Sequence, residues 1–255
     1  MYPLIDIHCH LNTPKIANNI SHEVSNARSK GIEYFVDSAL SEEEIKWNLD
    51  NMIPGKFFIA GKHPYYKASQ QLQIKRLDCL LKNNLIIGIG EIGLDKRNSD
   101  FKTQKRILFE QLDLAKSYDC PVIFHIVKYH YKLYKLIKDN FQGIRGIIHG
   151  FKENREIYHL YRELNFYFSL GGKSLVSKKS KIAVKKIVQA GNYFFETDAP
   201  YQKPNYLSGD INHLSNLKSI VSKISDHTST KFEILAKTQK NNFEKIFKQK
   251  LKNRK

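Results

Sequence analysis

Seven polar side chains that can bind metal ions or transfer protons come at the ends of strand-like segments in this sequence. They are His8, His10, His63, Glu91, His125, His149 and Asp198. Imidazole nitrogens and carboxylate oxygens, without a thiolate, suit a hard or borderline divalent cation such as Zn²⁺, Mn²⁺ or Mg²⁺. Even without His63, four histidines and two carboxylates exceed the needs of one ion, so the set predicts one or two divalent ions, with Glu91 able to bridge a pair. The chemistry expected of such a centre is hydrolysis by metal-activated water.

These residues also have a structural interpretation. A single histidine at a strand end is more often a hydrogen-bonded structural residue than a ligand. Six ligand-type side chains at five strand ends are harder to explain as packing, since buried polar groups are costly without partners. Cys9 lies between His8 and His10 and, by strand alternation, is predicted to face the helix layer. Three glycines within 88–93 surround Glu91 and predict close backbone approach there.

Short β-branched or aromatic runs alternate along the chain with longer amphipathic stretches. Strands are predicted at 4–8, 33–37, 57–61, 85–90, 121–125, 145–149, 166–170 and 193–197. Helices are predicted near 19–30, 41–51, 70–83, 102–118, 129–140, 153–163, 179–190, 210–224 and 229–248. This alternation predicts an α/β fold, a (β/α)₈ TIM-type barrel whose strand ends converge on one mouth. Without an evident linker or repeat, residues 1–255 are predicted to form a single domain.

The chain is strongly basic, with 42 lysine and arginine residues against 25 acidic ones and a net charge of +17. Such an excess favours nucleic acid as a partner, although a lysine-rich composition bias explains it equally well. Basic residues are densest at 173–186, which has six lysines and no acid, and at 231–255.

The absence of a long apolar run or a leader-like start predicts no membrane partner and a cytoplasmic location. The three cysteines have unpatterned spacings, which predict reduced thiols.

Several motifs, taken in their order and spacing, resemble the TatD family of metal-dependent deoxyribonucleases, within the amidohydrolase-like barrels. They read DIHCHL at 6–11, GKHP at 61–64, GEIGLD at 90–95, QKRILFEQLDLAKSYDCPVIFH at 104–125, IIHGF at 147–151 and ETDAPY at 196–201. GEIGLD and ETDxP together are highly specific. NNFEKIF at 241–247 also resembles the closing helix of the family.

The resemblance implies a one- or two-metal site and hydrolysis of DNA phosphodiester bonds, in single strands or at ends. Carried over motif by motif, the metal ligands fall on His8, His10, Glu91, His125, His149 and Asp198. His63 corresponds to a pocket histidine that assists substrate or phosphate binding. For catalysis, Asp198 is expected to orient the attacking water and accept its proton, with Glu91 and His63 as the other catalytic residues.

The sequence departs from the family pattern in four loops expected to touch the substrate. Ile126 and Val127 replace a Ser-Arg pair, and Lys96 replaces an aromatic residue after GEIGLD. FKEN follows His149-Gly150 where a Ser-Gly pair is frequent, and NYLSGDINHLSN replaces a basic, Asn-Pro-containing stretch. These departures leave the metal site intact and bear on the identity of the substrate.

Basic residues in the predicted mouth loops are candidates for holding flanking phosphates. They are Lys96, Arg97, Lys152, Lys173 and Lys203. Ordinary solvent-facing side chains explain each of them at least as well.

Two other functions remain open. The same centre could hydrolyse a small amide, ester or lactone, because activated water attacks carbon as readily as phosphorus. The barrel could instead bind nucleic acid without catalysis, although the filled ligand positions count against that.

Overall fold

Parallel strands form one sheet in which each strand pairs with the next along the chain. The computed structural model describes residues 2–98 and 100–251. Within these ranges the strands β1 to β8 are Leu4–Cys9, Ile32–Ala39, Lys56–Ala60, Ile89–Asp95, Val122–Val127, Gly146–Ile148, Tyr167–Leu170 and Tyr193–Phe195.

The sheet closes into a barrel through the segment that follows β8. Asp198 donates its backbone N–H to the carbonyl oxygen of His8 over 2.9 Å, and His10 donates to the carbonyl oxygen of Ala199 over 2.8 Å. The buried Asp6 carboxylate adds a further link, because it accepts the backbone N–H of Thr197 over 2.9 Å. The prediction of a (β/α)₈ TIM-type barrel is confirmed.

Helices separate the strands and cover the outside of the barrel. In the described ranges α1 to α10 are Pro14–Ala17, Ile20–Ser29, Glu42–Asp50, Ile74–Lys82, Phe101–Ser117, His130–Asn140, Arg155–Glu163, Lys178–Ala190, Leu217–Thr228 and Phe232–Phe247. Each predicted helix is present. The helix predicted near 210–224 begins late, at Leu217, because the 3₁₀ turn Leu214–Asn216 precedes it. In the part of the chain that the structure describes, no helix has the length and apolar character needed to cross a membrane.

Four strands, β1, β2, β4 and β5, extend further along the chain than the sequence predicts, and the changes in β4 and β5 bear on the site. The strand predicted at 85–90 is wrong in its bounds, because the parallel ladder of β4 to β5 begins at Ile89, paired with Val122. Likewise β5 continues beyond His125. Apolar composition marks a buried run but does not show which part of it finds strand partners. As a result Glu91 and His125 lie within strands rather than after them.

The barrel interior is apolar and is closed at its amino-terminal end. Its cluster consists of Ile5, Ile7, Val36, Ile59, Ile123, Ile147, Phe194, Phe243, Ile246, Phe247 and Leu251. Four of these residues lie on α10 or just after it, and Gln239 of α10 donates Nε2 to the carbonyl oxygen of Ile5 over 2.6 Å. Helix α10 therefore plugs the end where the strands begin, and the opposite end carries the chemistry.

Cys9 lies outside the barrel interior, as predicted. It belongs to the cluster between the sheet and the helices, and its Sγ lies 3.5 Å from the carbonyl oxygen of Val36. Burial raises the pKa of the Cys9 thiol well above its ordinary value. The thiol therefore stays protonated and packs as a small apolar group.

Candidate active site

His8 and His10 reach the barrel mouth because β1 is irregular. Ile5 and Ile7 face the barrel interior, so strict alternation would send His8 to the outer face. The pairing register of β1 against β2 shifts between Asp6 and Cys9, which is the signature of a bulge. A bulge re-aims the side chains that follow it. Here it turns both histidines inward.

Glu91 is placed by a second irregularity. The register of β4 against β5 shifts between Gly90 and Ile92, which makes Glu91 the extra residue. A Cβ atom on Gly90 would lie 2.9 Å from the carbonyl oxygen of Ile123. Gly93 has φ +149°, and a Cβ there would lie 2.0 Å from the carbonyl oxygen of His125. The predicted close backbone approach around Glu91 is confirmed, and only glycine fits these two positions.

Glu91 is the centre of a buried cluster of imidazoles. Its Oε1 lies 2.7 Å from Nδ1 of His125, 2.8 Å from Nε2 of His149 and 3.4 Å from Nε2 of His63. Its Oε2 lies 3.2 Å from Nε2 of His8 and 3.8 Å from Nε2 of His10. One carboxylate thus contacts imidazoles from β1, β5 and the loops after β1, β3 and β6.

Asp198 completes the cluster from the loop after β8. Its backbone has φ 56°, a left-handed conformation that is strained for a residue with a side chain. Its Oδ1 lies 3.3 Å from Nε2 of His10 and 3.6 Å from Nε2 of His8. Its Oδ2 accepts a hydrogen bond from Nε2 of Gln202 over 2.6 Å. Sequence reasoning missed Gln202, because nothing in its type or spacing marks it.

The six side chains predicted to bind metal therefore converge, and we call them the floor of the site. They are His8, His10, Glu91, His125, His149 and Asp198. Three overlapping groups have ligand atoms within 4.8 Å of one another: His8, His10 and Asp198; His8, Glu91 and His149; and His63, Glu91 and His125. Both ring nitrogens of His8 are buried without a hydrogen-bond partner. A divalent cation between these imidazoles and carboxylates would satisfy them, so the residues fit such an ion.

Two further carboxylates lie behind floor histidines, and the sequence analysis did not assign them. The fully buried Asp95 accepts a hydrogen bond from Nε2 of His125 over 2.8 Å. The buried Glu196 accepts the backbone N–H of Gly150 over 2.6 Å, and the same oxygen lies 3.7 Å from Nδ1 of His149. Carboxylates behind metal-binding histidines fix the ring orientation and raise ligand basicity. Their signal was an acidic residue inside each of the motifs GEIGLD and ETDAPY.

The hydrogen bonds of His63 differ from those of the floor histidines. Its Nδ1 accepts the backbone N–H groups of Tyr65 and Tyr66, each over 3.0 Å. An accepting Nδ1 carries no proton, so the proton of the neutral ring is on Nε2. Burial lowers the pKa of His63, which favours this neutral form. The Nε2–H that points at Glu91 is therefore a donor, and a protonated nitrogen does not bind a metal ion.

The charges of the floor support one another. Burial opposes ionisation of Glu91, but the charges of His149 and His8 and the hydrogen bond from His125 hold its pKa well below the usual value. Burial also lowers the pKa of His10, but the hydrogen bond and charge of Asp198 and the charge of Glu91 outweigh it and raise the pKa to about 9. Burial likewise lowers the pKa of His149, but the charges of Glu91 and Glu196 outweigh this effect and raise the pKa well above its usual value. In the metal-free protein, the protonated imidazoles of His10 and His149 and the carboxylates of Glu91 and Asp198 therefore attract one another.

The floor opens into a cavity of about 1290 Å³. Its lysine, arginine and tyrosine side chains form what we call the rim, namely Lys15, Tyr65, Tyr66, Arg97, Lys152, Lys173 and Tyr201. The three tyrosines are 49 %, 41 % and 52 % exposed, as expected of surfaces available for stacking. Glu43 and Glu44, from the helix after β2, line the other side.

Of the four lysines predicted to contact substrate, two lie at the cavity. Lys152 and Lys173 line it, whereas Lys96 and Lys203 are not among its lining residues. The Nζ of Lys203 instead donates to the carbonyl oxygen of Leu207. The placement of Lys96 and Lys203 therefore does not support substrate contact, because loop hydrogen bonds and direction, not sequence position, decide where a long side chain ends.

Known proteins share both the sequence pattern and the fold. The model of the TatD related DNase family matches residues 5–248. The metal-dependent hydrolase YabD of Bacillus subtilis is 26% identical over 253 residues, which cover 96% of this chain and 99% of YabD. The metal-dependent hydrolase YjjV of Escherichia coli is 29% identical over 218 residues, or 82% of this chain and 83% of YjjV.

Solved structures agree with these sequence matches. The crystal structure of the TatD homologue YjjV from Escherichia coli has a TM-score of 0.87 and 25% identity, covering 96% of this chain and 98% of that one. A TatD family hydrolase from Entamoeba histolytica has a TM-score of 0.83 with 20% identity, again over 96% and 98% of the two chains.

Proposed function

The chain belongs to the TatD-related DNase family of metal-dependent hydrolases, and we propose that it hydrolyses phosphodiester bonds in DNA, in single strands or at ends. The observation that supports this substrate is the pairing of floor and rim in one cavity. The floor collects ligand-type side chains, and the rim presents cations and exposed aromatic rings. Cations attract the phosphate backbone, and aromatic rings stack on unpaired bases.

The floor would hold one or two divalent ions, Mg²⁺, Mn²⁺ or Zn²⁺. His8, His10 and Asp198 form one group of donor atoms, and His125 and His149 another. Glu91 contacts both groups, with Oε2 toward the first and Oε1 toward the second, which is the arrangement that a bridging ligand needs. Such an ion, when bound, polarises a phosphoryl oxygen and lowers the pKa of water.

Asp198 would take a proton from the attacking water. Its Oδ1 faces His8 and His10, and its Oδ2 points away from them and is held by Gln202. A carboxylate oxygen has two lone pairs, so Oδ2 keeps one acceptor position beside the Gln202 hydrogen bond. Burial opposes ionisation, but the hydrogen bond from His10 and the charges of His8, His10 and His149 lower the pKa of Asp198. Asp198 is therefore ionised and able to accept.

His63 has a different task from the floor histidines. Its Nε2–H lies against Glu91 at the mouth of the floor, and its Nδ1 is held by two backbone N–H groups. A fixed neutral donor in this position can hydrogen-bond a phosphoryl oxygen of the substrate and stabilise the charge that develops on it.

The test is a substrate comparison on metal-loaded protein. Purified protein loaded with Mg²⁺, Mn²⁺ or Zn²⁺ is assayed on end-labelled single-stranded DNA and on a panel of acyl esters, amides and lactones. Glu91→Gln, purified in the same way, is the control for contaminating nuclease. We expect cleavage of DNA by the wild type and none by Glu91→Gln.

Two other outcomes would replace the proposal. Turnover of acyl substrates alone would make the protein a carbonyl hydrolase. DNA binding that persists after metal removal, with no turnover under any of the three ions, would make it a binding protein.

A further inference from the structure

Arg97 is held more firmly than any lysine of the rim. Its Nε lies 3.0 Å from both carboxylate oxygens of Asp95, and one terminal nitrogen also binds that carboxylate. The guanidinium lies 4.3 Å from the ring centroid of Tyr65. Asp95 is fully buried, whereas the Arg97 side chain is 52% exposed and lines the cavity. A guanidinium fixed on one edge and one face presents its remaining N–H groups in a set direction.

The loop that carries Arg97 is itself fixed. Gln104 accepts the backbone N–H of Asp95 over 2.8 Å and donates to the carbonyl oxygen of Asn98 over 2.9 Å. Asn98 donates its side-chain N–H to the carbonyl oxygen of Pro64 over 2.9 Å. These bonds join the loop after β4 to the loop after β3. Arg97 therefore needs little ordering when it binds a ligand.

Among the described residues, three groups of cationic donors remain available at the cavity, on Lys15, Arg97 and Lys152. Among the described residues, no hydrogen bond or ion pair engages the second terminal nitrogen of Arg97 or the Nζ of Lys152. Lys173, by contrast, donates its Nζ to Asn205 over 2.8 Å. Arg97 follows β4 and Lys152 follows β6, so the two flank β5, which carries His125 of the floor.

Asp95 ties Arg97 to the floor. Its carboxylate receives Arg97 on one side and Nε2 of His125 on the other, so the guanidinium is two hydrogen bonds from a floor histidine. Arg97 and Lys152 line the same cavity as the floor residues, so both are available to the next phosphate of a strand that has one phosphate over the floor. Glu43 and Glu44 also line this cavity and repel phosphate, which favours the part of the lining that carries Arg97 and Lys152.

We propose that Arg97 and Lys152 form an anion subsite that binds a second phosphate of the substrate, next to the phosphodiester that is hydrolysed over the floor. This inference rests on the proposed function, which supplies the first phosphate. It narrows the substrate class to phosphodiesters that carry a neighbouring phosphate group. A simple diester without one lacks this anchor.

The test uses two chromogenic substrates that differ by one phosphate. One is the 4-nitrophenyl ester of thymidine 5′-phosphate, and the other is the same ester with an added 3′-phosphate. Because hydrogen bonds to charged groups are the strong ones, we expect the added phosphate to lower KM about tenfold in the wild type. Arg97→Gln and Lys152→Gln should each reduce this preference to about twofold or less. Lys128→Gln is the matched control, because Lys128 follows β5 at the same end but is not among the cavity-lining residues.

A second measurement does not depend on turnover. Calorimetry on metal-free protein should show that thymidine 3′,5′-bisphosphate binds about tenfold more weakly to the Arg97→Gln and Lys152→Gln proteins than to wild type and Lys128→Gln. Hydrolysis without any KM preference, or a preference that survives both substitutions, overturns the subsite and leaves the proposed function standing. Absence of phosphodiester hydrolysis together with bisphosphate binding that both substitutions weaken overturns the proposed function and leaves the subsite standing. Equal bisphosphate affinity in all four proteins overturns the subsite.

Discussion

The floor and the rim of the cavity are built by different means. Floor side chains come from strands or from the residues just after strands, and several are held by neighbouring side chains, as Asp95 holds His125 and Gln202 holds Asp198. Most rim side chains come from loops and are largely exposed, Tyr201 being 52% exposed. In a barrel of this kind, rigid strand ends fix the chemistry and loops set the substrate. The comparison predicts that floor substitutions change metal binding and kcat, whereas rim substitutions change KM.

The largest effect is expected at Glu91. Glu91→Gln removes the one charge that all five imidazoles of the site contact. Breaking a buried ion pair costs about 3–5 kcal/mol, so metal binding should weaken at least about 100-fold and turnover should be lost. Elemental analysis of the purified protein and a DNA cleavage assay measure both. Lys173→Gln on the rim is the control and should retain its metal.

Metal affinity of the floor should depend steeply on pH. The pKa of His10 is raised to about 9, so below that pH an incoming ion must displace a proton. For each proton that the ion displaces, the apparent affinity for metal should rise about tenfold per pH unit up to about pH 9 and then level off. In the metal-free protein the stability of the fold depends on pH in the opposite direction. A folded pKa above the ordinary 6.5 stabilises the fold below pH 6.5, and this stabilisation is lost as the pH rises through about 9.

Calorimetric metal titrations at several pH values, with thermal melts of the metal-free protein, measure these two trends. Affinity that does not vary between pH 7 and 9 would contradict protonation of the metal-free floor.

A substitution of His63 tests whether this residue binds metal together with the floor residues. His63→Ala removes the Nε2–H donor, which does not bind metal in its hydrogen-bonded form. We expect kcat to fall about 100-fold, the scale of a lost hydrogen bond to developing charge, with metal content unchanged. Elemental analysis and kinetics on the same preparation separate the two effects. Loss of metal in this variant would show that His63 belongs to the floor.

Asp95 tests the support behind the floor. Asp95→Asn keeps the size of the side chain but removes the charge that orients His125 and binds Arg97. Loss of such a supporting carboxylate lowers metal affinity or activity by about 10–100-fold. Metal titration followed by calorimetry measures it. An affinity equal to that of the wild type would mean that the bond to Asp95 does not position His125.

The smallest effect is expected on the rim. Tyr201→Leu removes an exposed ring that lies 5.3 Å from the ring of His10. Since stacking contributes about 1–3 kcal/mol per base, KM for an oligonucleotide should rise about tenfold relative to KM for bis(4-nitrophenyl) phosphate. Tyr131→Leu is the matched control, because Tyr131 is also exposed but does not line the cavity. A fall in kcat on both substrates would place Tyr201 with the floor.

Much of the barrel could be predicted from local pattern. Each predicted helix and strand is present, because apolar periodicity and β-branched runs reflect which face of an element is buried. The six floor residues could be found because each lies at or just after the end of a predicted strand, where a parallel barrel gathers its side chains. Strand bounds failed at β4, since the choice of paired residues depends on β5 and not on the apolar run itself.

Sequence by itself determined the order of elements and the types of donor atoms at the mouth, because both follow from residue chemistry and short-range periodicity. Only the tertiary structure decided how the donors meet. The bulge in β1 reverses the alternation that would have turned His8 outward, and backbone N–H groups fix the proton of His63 on Nε2. The tertiary structure also decided that Lys152 lines the cavity, whereas Lys203 binds a loop carbonyl. These outcomes depend on contacts between residues far apart in the chain, and no local pattern encodes them.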